Sequence, residues 1–257
     1  LGKVTSQSAF IPEPIKLIYR GHVTRAGVKV NMRQFVIPPT SAALTCPILL
    51  LIGTSMSSGK TTSARVIIRR LKRMGLRVAG TKLTGAGRYR DILAMSDAGA
   101  DTIYDFVDAG LPSSVCDEDT FLTALTNLLG RIADQSPDVL VAEAGASPLE
   151  PYNGETVVKH LADRTCFTVL CASDPHAVLG VQTAFGPGLK ASVVSGPAAN
   201  TSAAADLVKQ LSGLDSLNLL DRRNYPELSR RLMQALGLEE KDVAIEARSY
   251  MNEKTPA

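Results

Sequence analysis

The chain has 257 residues and 27.3 kDa, with 45% hydrophobic and 21% charged residues and a formal net charge of +3. That is enough for one substantial α/β domain, or a core domain with an appendage, and the apolar share excludes a disordered chain. A charge of +3 gives no argument for nucleic acid, and no apolar run approaches the roughly 20 residues that cross a bilayer.

Residues 1–45 hold short alternating runs, Lys16-Leu17-Ile18-Tyr19 and Val28-Lys29-Val30, set among Pro12, Pro14, Pro38 and Pro39. They read as a small β segment or arm ahead of the main domain, and the basic residues between Lys16 and Arg33 read as its solvated face. Leu1 stands where Met is usual, as in a fragment or a processed chain with a domain upstream. Ile48 to Ile52 is a continuous apolar run, the pattern of a strand covered on both faces. Thr61 to Met74 then carries Val66, Ile67, Leu71 and Met74 at helical spacing, and Gly75 supplies a stop. Arg77 to Lys82 is a second strand, Asp91 to Ala98 and Glu118 to Ala133 are helices, and Val139 to Glu143 is another buried strand. The alternation goes on with a strand at Cys166 to Cys171, a helix at Ala177 to Phe185 and a strand at Ala191 to Ser195. A helix at Ala203 to Leu211, a last short strand at Leu217 to Leu220 and a helix at Pro226 to Leu236 complete it. Such repetition predicts a three-layer, doubly wound α/β fold with a mostly parallel sheet over residues 46–237, and ligands beyond the carboxyl ends of its strands. Residues 238–257 turn polar and read as a surface tail.

The strongest motif is Gly53 to Thr62, G-T-S-M-S-S-G-K-T-T, placed between a strand and a helix. Gly59 lets the backbone approach an anion, and the N–H groups from Ser57 and Ser58 to Thr62 can point inward where the helix dipole also favours negative charge. Lys60 is placed for the β- and γ-phosphates and the Thr61 hydroxyl for Mg²⁺. This is a phosphate-binding loop, with the P-loop NTPase fold as the expected scaffold.

The spacing from Gly53 to Gly59 is one residue longer than the usual G-x-x-x-x-G-K. In that respect the loop resembles the dethiobiotin synthetase family, whose G-T-x-x-x-x-G-K-T is matched at Gly53, Thr54, Gly59, Lys60 and Thr61. Three further stations resemble that family. Thr81-Lys82-Leu83-Thr84-Gly85 is similar to its second strand end, where a lysine serves both nucleotide and acidic substrate; an exposed edge-strand lysine is the plainer reading. Arg90-Asp91-Ile92-Leu93-Ala94-Met95 resembles S-D-A-L-A-L, whose aspartate binds metal; Asp91 also suits a helix N-cap. Val139 to Ala146 resembles V-E-G-A-G-G, so Glu143 is expected to complete a Mg²⁺ site with Thr61 and Asp91, although Ala144 and Ala146 replace glycines. The resemblance also places Asn200 where the family recognises the base, in a stretch that equally fits a helix start.

A second resemblance is to a group of P-loop proteins with G-T-x-x-S-x-G-K loops. It is carried by the loop itself and by Ser96-Asp97-Ala98-Gly99-Ala100-Asp101 and Asp105-Phe106-Val107-Asp108-Ala109-Gly110, a continuation that looks closer to that group than to the dethiobiotin synthetases. Some members of that group are implicated in N-acylation of D-amino acids, with the loop facing coenzyme A phosphates.

Tyr152, Asn153 and Glu155, in the loop Ser147 to Glu155, are expected on the substrate side, and His176 reads as a helix start. Cys46, Cys116, Cys166 and Cys171 lack C-x-x-C pairing and read as reduced thiols, which points to the cytoplasm and away from zinc. The expected activity is ATP- and Mg²⁺-dependent activation of a carboxylate-type small molecule, with Lys60 and Lys82 catalytic. Coenzyme A-dependent N-acyl transfer and a nucleotide-gated module or metallochaperone are the alternatives. The expected partners are a nucleotide and a small-molecule substrate, in a homodimer or higher homo-oligomer, with neither nucleic acid nor membrane.

Overall fold

Six parallel strands form the sheet, in the order β5-β4-β6-β3-β7-β8. They are β3 (Ile48–Gly53), β4 (Val78–Thr84), β5 (Thr102–Asp105), β6 (Val139–Ala144), β7 (Thr165–Cys171) and β8 (Val193–Ser195). The computed structural model describes residues 4, 7, 9–10, 12–40 and 43–239, so the polar tail expected from 238 onward lies outside the described residues from 240. Among the described residues no helix is long and apolar enough to cross a membrane.

Strand residues alternate between two cores, which is why the runs are apolar throughout. Ile48, Leu50 and Ile52 of β3 pack with α3 (Glu118–Ala133), α4 (Gly154–Leu161), α5 (Pro175–Phe185) and α6 (Ser202–Ser212). Leu49 and Leu51 face the opposite way, toward α1 (Lys60–Arg73), α2 (Tyr89–Asp97) and α7 (Tyr225–Leu236). Each fully buried Leu or Ile contributes about 1.5–3 kcal/mol. The three layers and the parallel sheet agree with the sequence reading.

Four details differ from it. Among the described residues Lys16 to Tyr19 has no strand partner, and the N-terminal ladder is β1 (Thr24–Arg25) against β2 (Val28–Lys29). Leu217 to Leu220 is not a strand either. Leu217 and Leu219 are buried against the α7 side, and the stretch is tied to β8 by an isolated bridge, Val194 to Ser216, by Leu217 N–H donating to Val194 O at 2.9 Å and by Ser195 Oγ donating to Leu217 O at 2.9 Å. β5 was not foreseen, being a short, half-buried edge strand. α4 begins at Gly154, inside what reads as a loop.

The arm is fastened at its root. Thr40 donates from its backbone N–H and its hydroxyl to the Asp134 carboxylate, at 2.9 and 2.8 Å. Pro39 packs so closely on Gly130 that a Cβ there would lie 2.7 Å from the proline ring.

Candidate functional site

The cleft lies beyond the carboxyl ends of β3, β4 and β6 and encloses about 660 Å³. Its floor follows from strand parity. Lys82 and Glu143 are register partners across β4 and β6, and Leu51 of β3 is the next partner along, so the two charged residues stand side by side on the α1 face. Both are buried. Lys82 therefore belongs to an interior strand, which removes the edge-lysine reading.

The loop between β3 and α1 folds back on its own first residue. A Cβ at Gly53 would clash with Ser58 Oγ and lie 2.6 Å from Lys60 Nζ, so any larger residue there would displace the Ser58 and Lys60 side chains. Gly59 has φ 102° and Ser57 φ 64°, left-handed conformations that turn the chain into the helix. α3, α5 and α6 are capped by the side chains of Asp117, Asp174 and Thr201, whereas α1 starts at Gly59 with no side-chain cap. Among the described residues the backbone N–H groups of Ser57 to Thr62 make no hydrogen bond within the protein. A cluster of bare donors at a helix N-terminus attracts an anion.

Lys60 Nζ donates to Ser55 O at 2.8 Å, and Thr61 Oγ1 donates to Glu143 Oε2 at 3.0 Å. Lys82 Nζ contacts Asp91 Oδ2 at 2.5 Å and donates to Ala86 O at 3.1 Å. Asp91 is the third residue of α2, whose N-cap is Arg88, so the N-cap reading of Asp91 is replaced by a pairing with Lys82. Burial holds Lys60 below the usual lysine range against the pull of Glu143. Burial likewise raises the Glu143 carboxyl, against Lys82, Lys60 and the Thr61 hydrogen bond, with Asp91 reinforcing the rise.

Lys60, Thr61, Thr62, Ser57, Gly59, Lys82, Asp91 and Glu143 thus share one cleft. Ser58 is buried behind Lys60 instead of lining the cleft. Thr54 looks away from it, its hydroxyl accepting the Ser173 N–H at 3.1 Å. Asn200 is exposed at the end of a 3-10 turn and does not line the cleft. That turn nonetheless abuts the loop, since a Cβ at Gly196 would strike Ser58 O.

Of the substrate-side trio only Tyr152 lines the cleft. Asn153 is a latch, donating from Nδ2 to Ser114 O at 2.7 Å and to Cys116 O at 3.1 Å, and Glu155 pairs with Lys159 on the surface. His176 is exposed near the start of α5, beside Asp174. After Glu143, Gly145 passes so close to Thr84 O that a Cβ would strike it, and Ala146 is left-handed at φ 58°. The turn is therefore built with an alanine in a conformation that favours glycine.

Four charged cleft residues carry no site role in the sequence reading, Arg65, Arg88, Arg90 and Asp97. Arg65 lies one helical turn beyond Thr61, a spacing that puts it beside the loop. Arg88 and Arg90 flank a solvent-exposed helix start and carry no pattern of their own. With Lys60 and Lys82 the three arginines set five cations against the acids Asp91, Asp97 and Glu143, a balance that favours anionic ligands.

The three-layer parallel sheet with this loop after its central strand defines the P-loop α/β fold. No protein-family model and no curated protein matches the sequence. The chain is similar to the solved signal recognition particle receptor FtsY from Elizabethkingia anophelis, at 13% identity and TM-score 0.46, covering 78% of this chain and 70% of that one. It is also similar to a DUF1611 family protein from Anabaena variabilis, at 17% identity and TM-score 0.49, covering 78% of this chain and 63% of that one. A third similar structure is the signal recognition particle 54 kDa protein from Aeropyrum pernix in complex with GDP, at 17% identity and TM-score 0.44. There the match covers 85% of this chain and 51% of the other.

Proposed function

We propose that the protein is an ATP- and Mg²⁺-dependent enzyme that phosphorylates a carboxylate on a small molecule. The observation that carries this reading is the Thr61–Glu143 hydrogen bond at 3.0 Å, with Lys82 in register beside Glu143 and Lys60 in the same cleft. The loop amides and Lys60 receive the triphosphate. Lys82 draws the acceptor carboxylate toward the γ-phosphorus, reducing the repulsion between two anions.

The donor set fits Mg²⁺. Among the described residues no group of three or more His, Cys, Asp or Glu is gathered as a metal cage. Mg²⁺ does not need one, since it takes one or two carboxylates and completes its shell with phosphate oxygens and water. Thr61 and Glu143 would hold it, and Asp91 would join by sharing its contact with Lys82. Bound there, the ion neutralises charge on the phosphates. A carboxylate oxygen attacks the γ-phosphorus, the bond to the β,γ-bridging oxygen breaks, and ADP leaves with that electron pair, giving an acyl phosphate.

The test is a thermal-shift screen with ATP, GTP, CTP and acetyl-CoA, each with and without Mg²⁺. A ligand at 100 times its dissociation constant stabilises by about 2.7 kcal/mol. The expected result is stabilisation by ATP that grows with Mg²⁺, together with hydroxylamine trapping of an acyl phosphate when small carboxylic acids are supplied. Metal-independent stabilisation by acetyl-CoA alone would replace this reading with acyl transfer.

A further inference from the structure

A second concavity of about 320 Å³ lies between α1 and the start of α7 and opens into the cleft, because Thr62, Arg65 and Asp97 line both. Its lining among the described residues holds Arg65, Arg69, Arg70, Arg73 and Arg222 and one acid, Asp97. Arg65, Arg69 and Arg73 repeat every four residues and so form one stripe of the helix.

Arg70 has a structural task. Its Nε donates to Ser229 Oγ at 3.1 Å, and its guanidinium lies 5.2 Å from the Tyr225 ring centre, so it fixes α7 beneath the groove. Arg65, Arg69 and Arg222 are different. All three are exposed, and none makes a salt bridge with a carboxylate among the described residues. The neighbouring Arg223, Arg230 and Arg231 are each paired with an Asp or Glu at 2.7 Å. Like charges gathered in a concavity repel one another, and an anion seated there removes that repulsion. With a rise of about 1.5 Å per residue, Arg69 stands about 10 Å along α1 from Thr62, within reach of one ligand that starts at the loop.

We propose that this groove is a second phosphate site, in which Arg65, Arg69 and Arg222 hold a phosphomonoester additional to the phosphates seated in the loop. Guanidinium forks match phosphate oxygens in pairs, which ammonium groups do not. The phosphate belongs either to the same ligand, as a nucleotide phosphorylated on its ribose, or to a free anion. The proposal rests on the reading that the loop binds nucleotide phosphates, and not on that nucleotide being ATP. A ribose phosphate in the groove would mean a loop ligand other than ATP, whereas a free anion is compatible with ATP.

The experiment is calorimetry of ADP, adenosine 3'-phosphate 5'-diphosphate and inorganic phosphate, on the wild type and on the double variant R69A with R222A. The expected result is that the 3'-phosphorylated nucleotide binds the wild type at least tenfold tighter than ADP does. The double variant should lose that advantage and keep its ADP affinity. Phosphate bound by the wild type and lost in the double variant, without a 3'-phosphate advantage, supports the site with a free anion as its source. Neither effect in the wild type, or both surviving the double substitution, overturns the proposal. If ADP fails to bind the wild type, the nucleotide reading falls, and the phosphate measurement alone then decides the groove.

Discussion

Alternate residues of the same strands face α1, α2 and α7 on one side of the sheet and α3 to α6 on the other. On the first side the strand ends carry Lys82 and Glu143, and the helices above add Thr61, Asp91 and the arginines. On the second, Leu83, Ala142 and Ala144 continue an apolar core to the strand ends. One residue of offset therefore separates a charged cleft from a packed interior. Both parities pack a core, but at the strand ends the charged groups stand on one parity alone, so substitutions at the strand ends of the two faces should have separable effects.

The largest expected effect is at the loop. Lys60→Ala should weaken ATP binding at least about 100-fold by calorimetry, since a buried charge-assisted contact is lost. Unchanged affinity would mean that the charged face does not hold the phosphates.

Glu143→Gln comes next. It should abolish the gain in ATP affinity that Mg²⁺ brings while leaving metal-free binding nearly intact, measured as paired titrations. The wild type should also show a pH signature. Burial raises the Glu143 pKa, and only the carboxylate binds the ion, so the Mg²⁺-dependent gain is present above that raised pKa. It should fade as pH falls through it, at a pH higher than the roughly 4.3 of an ordinary glutamate.

The smallest effect belongs to the other face. Thr81 shares the parity of Ala79 and Leu83, and its Oγ1 is buried with no hydrogen-bond partner among the described residues. Thr81→Val should raise stability by about 1 kcal/mol, a few degrees of melting temperature, with ATP affinity unchanged. A change in affinity there would show that the two faces are not independent.

How much of this could be read from the chain depended on how local each signal is. β3 and β6 were legible because burial on both sides leaves uninterrupted apolar runs. β5 was not, since an edge strand of four half-buried residues has neither a run nor a clean alternation. α4 was hidden because Pro151, Asn153 and Gly154 are turn residues, and here they serve a left-handed Asn153 that starts the helix. At the site, the nearness of Lys60 and Thr61 followed from the loop motif, and that of Lys82, Asp91 and Glu143, which share the cleft, from the motifs that resemble the synthetase family. The pairing of Asp91 with Lys82 is a tertiary fact with no sequence mark. The same holds for Arg65, Arg88 and Arg90, which on a basic surface resemble any solvated arginine.

Gly53, Gly145 and Gly196 lie far apart in sequence, yet each leaves room for backbone or side-chain atoms that a Cβ would displace. At Gly145 and Gly196 those atoms are the backbone carbonyl oxygens of Thr84 and Ser58, which cannot rotate away, and they fence the turn after β6 and the loop after β3. The direction of the loop N–H groups is then settled when the chain folds, not when an anion arrives. Association should accordingly be governed by diffusion and charge, with no slow closing step of the loop itself, so that differences among phosphate ligands appear in how long they stay.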